Sequence, residues 1–274
     1  METFESFGPD NRLVGVLSGA SSGEQPILVL PNAGLVPRAG PFRVHVEIAQ
    51  HFAARGIRTF RFDLPGAGES PHLAGIDARG ATQAALDHLA ARGIANRFVV
   101  GGVCSAADRG WIAAVDDPRV VGVVLLDGVA FKGPWFQLSR VASLLGRPRE
   151  WSAFVRRRLA RNSGGEEGAS LITAAYRDWP TRSEAHAQLA AMIGRNVHLF
   201  FVYTHGVVEY LRDRRQLVWS FGAGFRDSRV TCHYWRDCDH TFYARFVRMR
   251  LLGAMEEWFV GAFGAGKEPH DART

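Results

Sequence analysis

At 274 residues, 47% of them hydrophobic, the chain is long enough to bury one substantial core, and its composition excludes a disordered polymer. The formal charge of +6 is carried mostly by arginine, with its densest cluster at Arg156, Arg157, Arg158 and Arg161. Such a cluster reads as a solvated helix face, which sets nucleic acid aside as a partner and leaves an acidic carrier domain or an anionic substrate as the milder explanation. No run of about eighteen apolar residues occurs, and Met1-Glu2-Thr3-Phe4-Glu5 offers neither a basic region nor an apolar one, so no membrane span, no secretory signal and a cytoplasmic location are expected.

In chain order, Thr3–Phe7 and Arg12–Leu17 flank Gly8-Pro9-Asp10-Asn11 and predict a leading hairpin. Pro26–Leu30 is a continuous apolar run suited to a strand buried on both faces, and it stops at Pro31-Asn32-Ala33-Gly34. A helix follows over Phe42–Ala54, a strand over Arg58–Phe62, a helix over 78–93 and a strand over Arg97–Gly101. This alternation predicts a mostly parallel sheet wrapped by helices, an α/β class. Ala107–Ala114 is expected to be helical and Val120–Leu126 is the strongest strand signal, closed by Asp127-Gly128. Between Phe131 and Arg195 the rhythm breaks into helical patterns rich in arginine, alanine and tryptophan, which predicts a helical lid inserted into the sheet. Val197–Tyr203 restores core character, with a helix from about Val207, a last strand over Val230–Trp235 and a last helix over Phe242–Phe259. The domain reading is therefore a core of residues 1–130 and 196–262, a lid of 131–195 and a flexible tail of 263–274.

The chemistry centres on Phe98–Ala107, where an apolar run ends in small residues around a thiol and a hydroxyl. A strand turning sharply into a helix holds its tip residue in strained geometry and needs small residues two before and two after it. Gly102 and Ala106 stand at those offsets from Cys104, whereas Ser105 at the tip would place β-branched Val103 there. Cys104 is the candidate nucleophile. A thiol is activated by an imidazole, and the imidazole needs an acceptor on its other nitrogen. His240 lies in the loop between the last strand and the last helix, the position expected for the base, whereas His198 and His233 fall within strands and His270 in the tail. The alternative is a tight strand-to-helix crossing with Cys104 as buried filler.

Cys104, Cys232 and Cys238 are too few and unevenly placed for a disulfide framework. Cys232, His233, Asp237, Cys238 and His240 lack the paired spacing of a zinc site, so no metal is expected. Gly66-Ala67-Gly68 begins like a dinucleotide loop, but Pro71 occupies the place of the third glycine, so no cofactor is expected either.

These segments resemble those of α/β-hydrolases, and specifically the group with a Gly-x-Cys-Ser-Gly-Ala elbow that includes the exosortase-associated hydrolases. The resemblance is carried by Pro31-Asn32-Ala33-Gly34, Gly40-Pro41-Phe42-Arg43, Arg61-Phe62-Asp63-Leu64, Gly102–Ala107, Leu126-Asp127-Gly128 and Asp239-His240-Thr241-Phe242. It implies an α/β-hydrolase fold with an oxyanion hole from the amide of Ser105 and that of Ala33 or Gly34. The sequence departs from it at Ala106, where the group has glycine, and in the loop after Tyr203, where an aspartate is implied and only Glu209 is present. The acid is thus Glu209 or, from the preceding strand end, Asp127, with Asp239 a structural loop residue. Arg38, Arg43, Trp135, Phe136 and Trp151 are candidates for lining an acyl pocket.

The functional expectation is an acyl-processing enzyme in which Cys104 attacks a thioester or an activated ester or lactone and a thioesterase-like hydrolysis completes the turnover. The substrate is expected to be a small acyl group, carried as a thioester on coenzyme A or a carrier protein. An acyltransferase or cyclase that passes the acyl group to another acceptor is the first alternative. A non-catalytic small-molecule binding protein is the second.

Overall fold

The computed structural model describes residues 2–20, 25–145, 177 and 179–264. Eight strands form a single sheet in the order β1-β2-β4-β3-β5-β6-β7-β8. The antiparallel hairpin β1 (Glu2–Phe7) and β2 (Leu13–Ser18) sits at one edge, and β2 pairs antiparallel with β4 (Thr59–Phe62). All further pairings are parallel, through β3 (Ile27–Pro31), β5 (Phe98–Val103), β6 (Val120–Leu126), β7 (His198–Thr204) and β8 (Val230–Trp235).

Every residue of β3 and β5 is buried, which is why these strands read as unbroken apolar runs, and β4 is equally buried although it carries Thr59 and Arg61. Two apolar layers follow from the alternation of their side chains. Phe98 and Val100 of β5 face one cluster with Phe60, Phe62, Leu86, Trp111 and Phe201, while Val99 and Val103 face the other with Ile48, Phe52, Phe200, Leu251 and Phe259. Helices α2 (Ala78–Ala91) and α3 (Ser105–Asp116) cover the first layer. Helices α1 (Val44–Ala53) and α7 (Arg245–Phe263) cover the second.

The segment between β6 and β7 contains helices α4 (Pro134–Leu145) and α5 (Arg182–Gly194) and, among the described residues, no strand. Helix α5 starts with a capping box, Thr181 and Glu184 satisfying each other's backbone amides, and it sends Ala185, Leu189 and Met192 into the first apolar layer. It therefore packs as part of the core rather than above it. Trp151, the arginine cluster at 156–161 and the tail from residue 265 lie outside the described residues. No helix among the described residues is long and apolar enough to cross a membrane.

Two sequence expectations are corrected here. A helix was expected from about Val207, but a 3-10 turn occupies His205–Val207 and helix α6 starts only at Arg215 (Arg215–Phe221). The cause is tertiary: a Cβ on Gly206 would lie 2.5 Å from the Cβ and backbone nitrogen of His240, so the chain here is moulded to the histidine loop. The last helix begins at Arg245 rather than Phe242, because Phe242 takes a left-handed φ of 55° at the end of that loop.

From β3 the chain passes to β4 on one side and then to β5 on the other. That reversal makes the carboxyl ends of β3 and β5 the natural crevice of an open parallel sheet. Close approach holds it together. A Cβ on Gly101, where φ is 150°, would come within 1.9 Å of the Val124 carbonyl oxygen in the neighbouring strand. We expect Gly101→Ala to lose about 4 kcal/mol or more of stability in urea unfolding, because the clash is with backbone that has no room to yield. A loss below about 1 kcal/mol would contradict this packing.

Candidate active site

The turn from β5 into α3 places Cys104 at its tip with φ 58° and ψ −120°, a conformation that non-glycine residues rarely adopt. Its amide donates to the Leu126 carbonyl at 2.8 Å, which ties the tip to the end of β6. Close packing at the turn shows how Ala106 can replace glycine. A Cβ on Gly102 would sit 3.0 Å from the Ala106 Cβ, so the crossing closes because one residue of that pair lacks a side chain. Beneath Gly102 lies the buried His45, whose pKa is pushed down to about 4 by burial and by the charge of Arg61, so it is neutral.

Of the two acid candidates, Asp127 is the one beside the histidine. Its Oδ2 is 2.8 Å from His240 Nδ1. Asp127 is fully buried, has φ 56°, and accepts from the Thr204 amide at 2.7 Å and the Thr204 hydroxyl at 2.6 Å. Glu209 is exposed on the turn after β7. Thr204 aligns the carboxylate, and its hydroxyl also accepts from the Gly206 amide at 3.1 Å, so one side chain fixes both the acid and the loop under the histidine. Tyr210 adds a hydrogen bond to the Asp127 carbonyl at 3.1 Å.

His240 and Cys104 also shift each other's titration. Burial pushes the Cys104 thiol up, but the His240 hydrogen bond and the charge of Arg177 outweigh it and leave the thiol below its ordinary 9.0. Burial likewise disfavours the His240 imidazolium, yet its bonds to Asp127 and Cys104 raise it to about 10. Low on the thiol and high on the imidazole is the pattern of a thiolate–imidazolium pair. Such a pair is expected at pH above the lowered thiol value and up to about 10, where His240 loses its proton. Cys232 and Cys238 are pushed up to about 12, mainly by burial. We therefore expect alkylation by iodoacetamide to select Cys104 and to reach half its maximal rate below pH 9.0, the ordinary thiol value. A midpoint at or above that value, followed by mass mapping of the modified peptide, would contradict the pair.

Arg177 was not anticipated. Its Nη1 donates to Cys104 Sγ at 3.3 Å, its Nε and Nη2 grip the carboxylate of Asp108, and Nη2 also reaches the Asp127 carbonyl at 3.1 Å. Asp108 lies on the first turn of α3 and is held up to about 6 by burial, against the opposing charge of Arg177.

The loop after β3 is pinned by Asn32, also missed from sequence. This fully buried side chain donates to the carbonyls of Gly34 at 2.8 Å and Val36 at 3.1 Å and accepts from the Leu64 amide at 2.8 Å. Gly34 donates its amide to Ser105 Oγ at 2.8 Å, and Ala33 is buried beside it. Arg38 is engaged elsewhere, bound to the carboxylates of the buried Asp63 and of Glu69, and so clips the loops after β3 and β4 together. Trp135 and Phe136 lie on α4 among cations, with the Arg215 guanidinium 4.0 Å from the Trp135 ring centre and Arg212 5.3 Å from that of Phe136. Arg43 is exposed at the start of α1. A cleft of about 300 Å³ opens against the elbow, bordered by Gly34, Leu35, Leu64, Pro65, Ser105 and Arg109. No cluster of three or more metal-binding side chains occurs among the described residues.

The eight-stranded, mostly parallel sheet with its flanking helices is shared with solved structures. An esterase from Pyrococcus furiosus superposes with a TM-score of 0.59 at 12% identity, covering 96% of this chain and 90% of the other. The chain has the α/β-hydrolase fold. An esterase from Thermogutta terrifontis superposes with a TM-score of 0.55 at 13% identity over 96% of this chain and 99% of its own. The mouse alpha/beta hydrolase domain-containing protein 10 gives 0.54 at 11% identity over 94% and 97%. No protein-family model and no curated protein sequence matches the chain.

Proposed function

We propose that this α/β-hydrolase-fold chain is an acyl-processing enzyme of the thioesterase kind, with Cys104 as nucleophile, His240 as base and Asp127 as the acid that orients it. The observation that carries the reading is the juxtaposition of Asp127 and Cys104, at the ends of β6 and β5, with His240 of the loop after β8, Asp127 Oδ2 lying 2.8 Å from His240 Nδ1. The Cys104 thiolate adds to the acyl carbon of a thioester or activated ester. The resulting oxyanion is stabilised by the amides of Ser105 and of the β3 loop, a contribution of about 3–4 kcal/mol for a well-aimed donor. Because Gly34 already donates to Ser105 Oγ, Ala33 is the favoured loop donor. Collapse of the tetrahedral species breaks the bond to the leaving thiol, which takes its proton from His240. Neutral His240 then removes a proton from water, hydroxide attacks the acyl-thioester, and Cys104 leaves as the thiolate.

The thiol itself argues for the substrate class. Exchange of one thioester for another is nearly balanced in energy, whereas acyl transfer from an ordinary ester or amide to a thiol runs uphill. A small acyl group on coenzyme A or a carrier protein fits, and no cofactor or metal is needed for the steps above. The elbow's resemblance to the cysteine-nucleophile group supports the same reading. The test is turnover of a panel of short acyl thioesters, followed by release of free thiol and by product analysis with and without added amine or alcohol. Free acid as the main product supports hydrolysis. Interception by the acceptor identifies an acyltransferase or cyclase, and no turnover with any member leaves the binding-protein alternative.

A further inference from the structure

Beyond the pull of its charge on the thiol, the steps above give Arg177 no task, although its side chain is firmly held. Its side chain is 5% exposed and that of its partner Asp108 1%. The guanidinium lies over Trp179 with Cζ 4.9 Å from the ring centre, and Trp179 Nε1 donates to the same Asp108 carboxylate at 3.2 Å. Nε and Nη2 are committed to Asp108 and to the Asp127 carbonyl, which leaves Nη1 aimed at Cys104 Sγ, 3.3 Å away. Fold stability is a poor account of such a pair, since removing both ions from water costs about as much as their attraction returns.

The thiolate gives Nη1 an anionic acceptor before acylation. Once Sγ is bonded to an acyl carbon it becomes a neutral, weakly accepting thioester sulfur, and a buried N–H on a permanent cation is left facing the acyl group. An oxygen on the carbons next to the thioester carbonyl is the group placed to replace the lost acceptor. We infer that Arg177, held by Asp108 and Trp179, forms an anion subsite on the acyl side of Cys104, and that the chain takes acyl groups carrying a carboxylate close to the thioester carbonyl. This rests on the reading of Cys104 as nucleophile.

Iodoacetate and iodoacetamide provide the test on the whole protein. Both alkylate Sγ, forming a sulfur–carbon bond and expelling iodide, and they differ in placing a carboxylate or a neutral amide one carbon from sulfur. Rates at one pH and salt concentration are divided by those of free cysteine with the same reagents. The wild type is expected to favour iodoacetate by about tenfold, the return of one charge-assisted hydrogen bond. Arg177→Gln is expected to bring the ratio to about one, and Arg177→Lys to keep part of it. Because Arg177→Gln leaves Asp108 buried without its cation, Arg177→Gln with Asp108→Asn carries the comparison where the single variant does not fold. A wild-type ratio near one, or a preference that survives in the glutamine variants, overturns the subsite while acyl adducts on Cys104 still uphold the nucleophile. Failure of both reagents to label Cys104, together with absence of acyl adducts, overturns both.

Discussion

Cys104→Ala is expected to abolish covalent acylation, and His240→Ala to slow it by about 10²–10⁴-fold, the usual return of a positioned general base. The two effects differ in kind. Alanine at the elbow removes the atom that forms the acyl bond, and the remaining thiols stand at about 12 and cannot substitute at neutral pH. Loss of His240 keeps the sulfur, and with it the Arg177 Nη1 contact at 3.3 Å, so the thiolate persists in part and forms the acyl-enzyme slowly. Deacylation suffers more, because water then has no base. His240→Ala is therefore expected to accumulate acyl-enzyme where the wild type turns over. The double variant Cys104→Ala with His240→Ala is expected to be no worse than Cys104→Ala alone, since the residues act as a unit. Single-turnover kinetics with an acyl thioester separates the two steps. Additive losses in the double variant would contradict the shared role.

Asp127→Asn is expected to lower turnover by about 10³–10⁴-fold while leaving substrate binding largely intact. The carboxylate accepts from both the amide and the hydroxyl of Thr204 as well as from His240 Nδ1. An asparagine has one accepting oxygen, which the Thr204 amide claims, so its NH₂ group faces His240 and selects the tautomer that cannot accept the thiol proton. The same substitution removes the main group raising His240 toward 10, so the imidazolium is lost at lower pH and the alkylation profile of Cys104 moves up towards the ordinary thiol value of 9.0. Unfolding free energy is expected to fall by about 1–3 kcal/mol for the mispaired buried polar group. Glu209→Gln, on the exposed turn, is expected to change turnover by no more than about twofold. The reverse ranking of these two variants would move the acid to Glu209.

How much of this was legible depends on range along the chain. The elbow could be read because its requirements are local: small residues around Cys104 and an apolar strand ahead of it. His240 could be placed by its position after the last strand. The choice between Asp127 and Glu209 could not be read, because it depends on a left-handed backbone at Asp127 and on a contact with a residue 113 positions away. Gly206 stands just before the helix expected from about Val207, yet its missing side chain is what admits the His240 loop, and that helix gives way. Arg177 and Asp108 were invisible for a different reason. Asp108 occupies a helix position that usually reads as exposed, and Arg177 is one of many arginines in the stretch between Phe131 and Arg195, so only the folded chain brings the two charges together beneath Trp179.

Intact-mass spectrometry of the protein after brief exposure to a short acyl thioester, with mapping of the modified peptide, bears most directly on the reading of Cys104 as nucleophile. A single added acyl mass is expected on Cys104, transient in the wild type, persistent in His240→Ala and absent in Cys104→Ala. No adduct in either the wild type or His240→Ala, or an adduct that survives in Cys104→Ala, would contradict it.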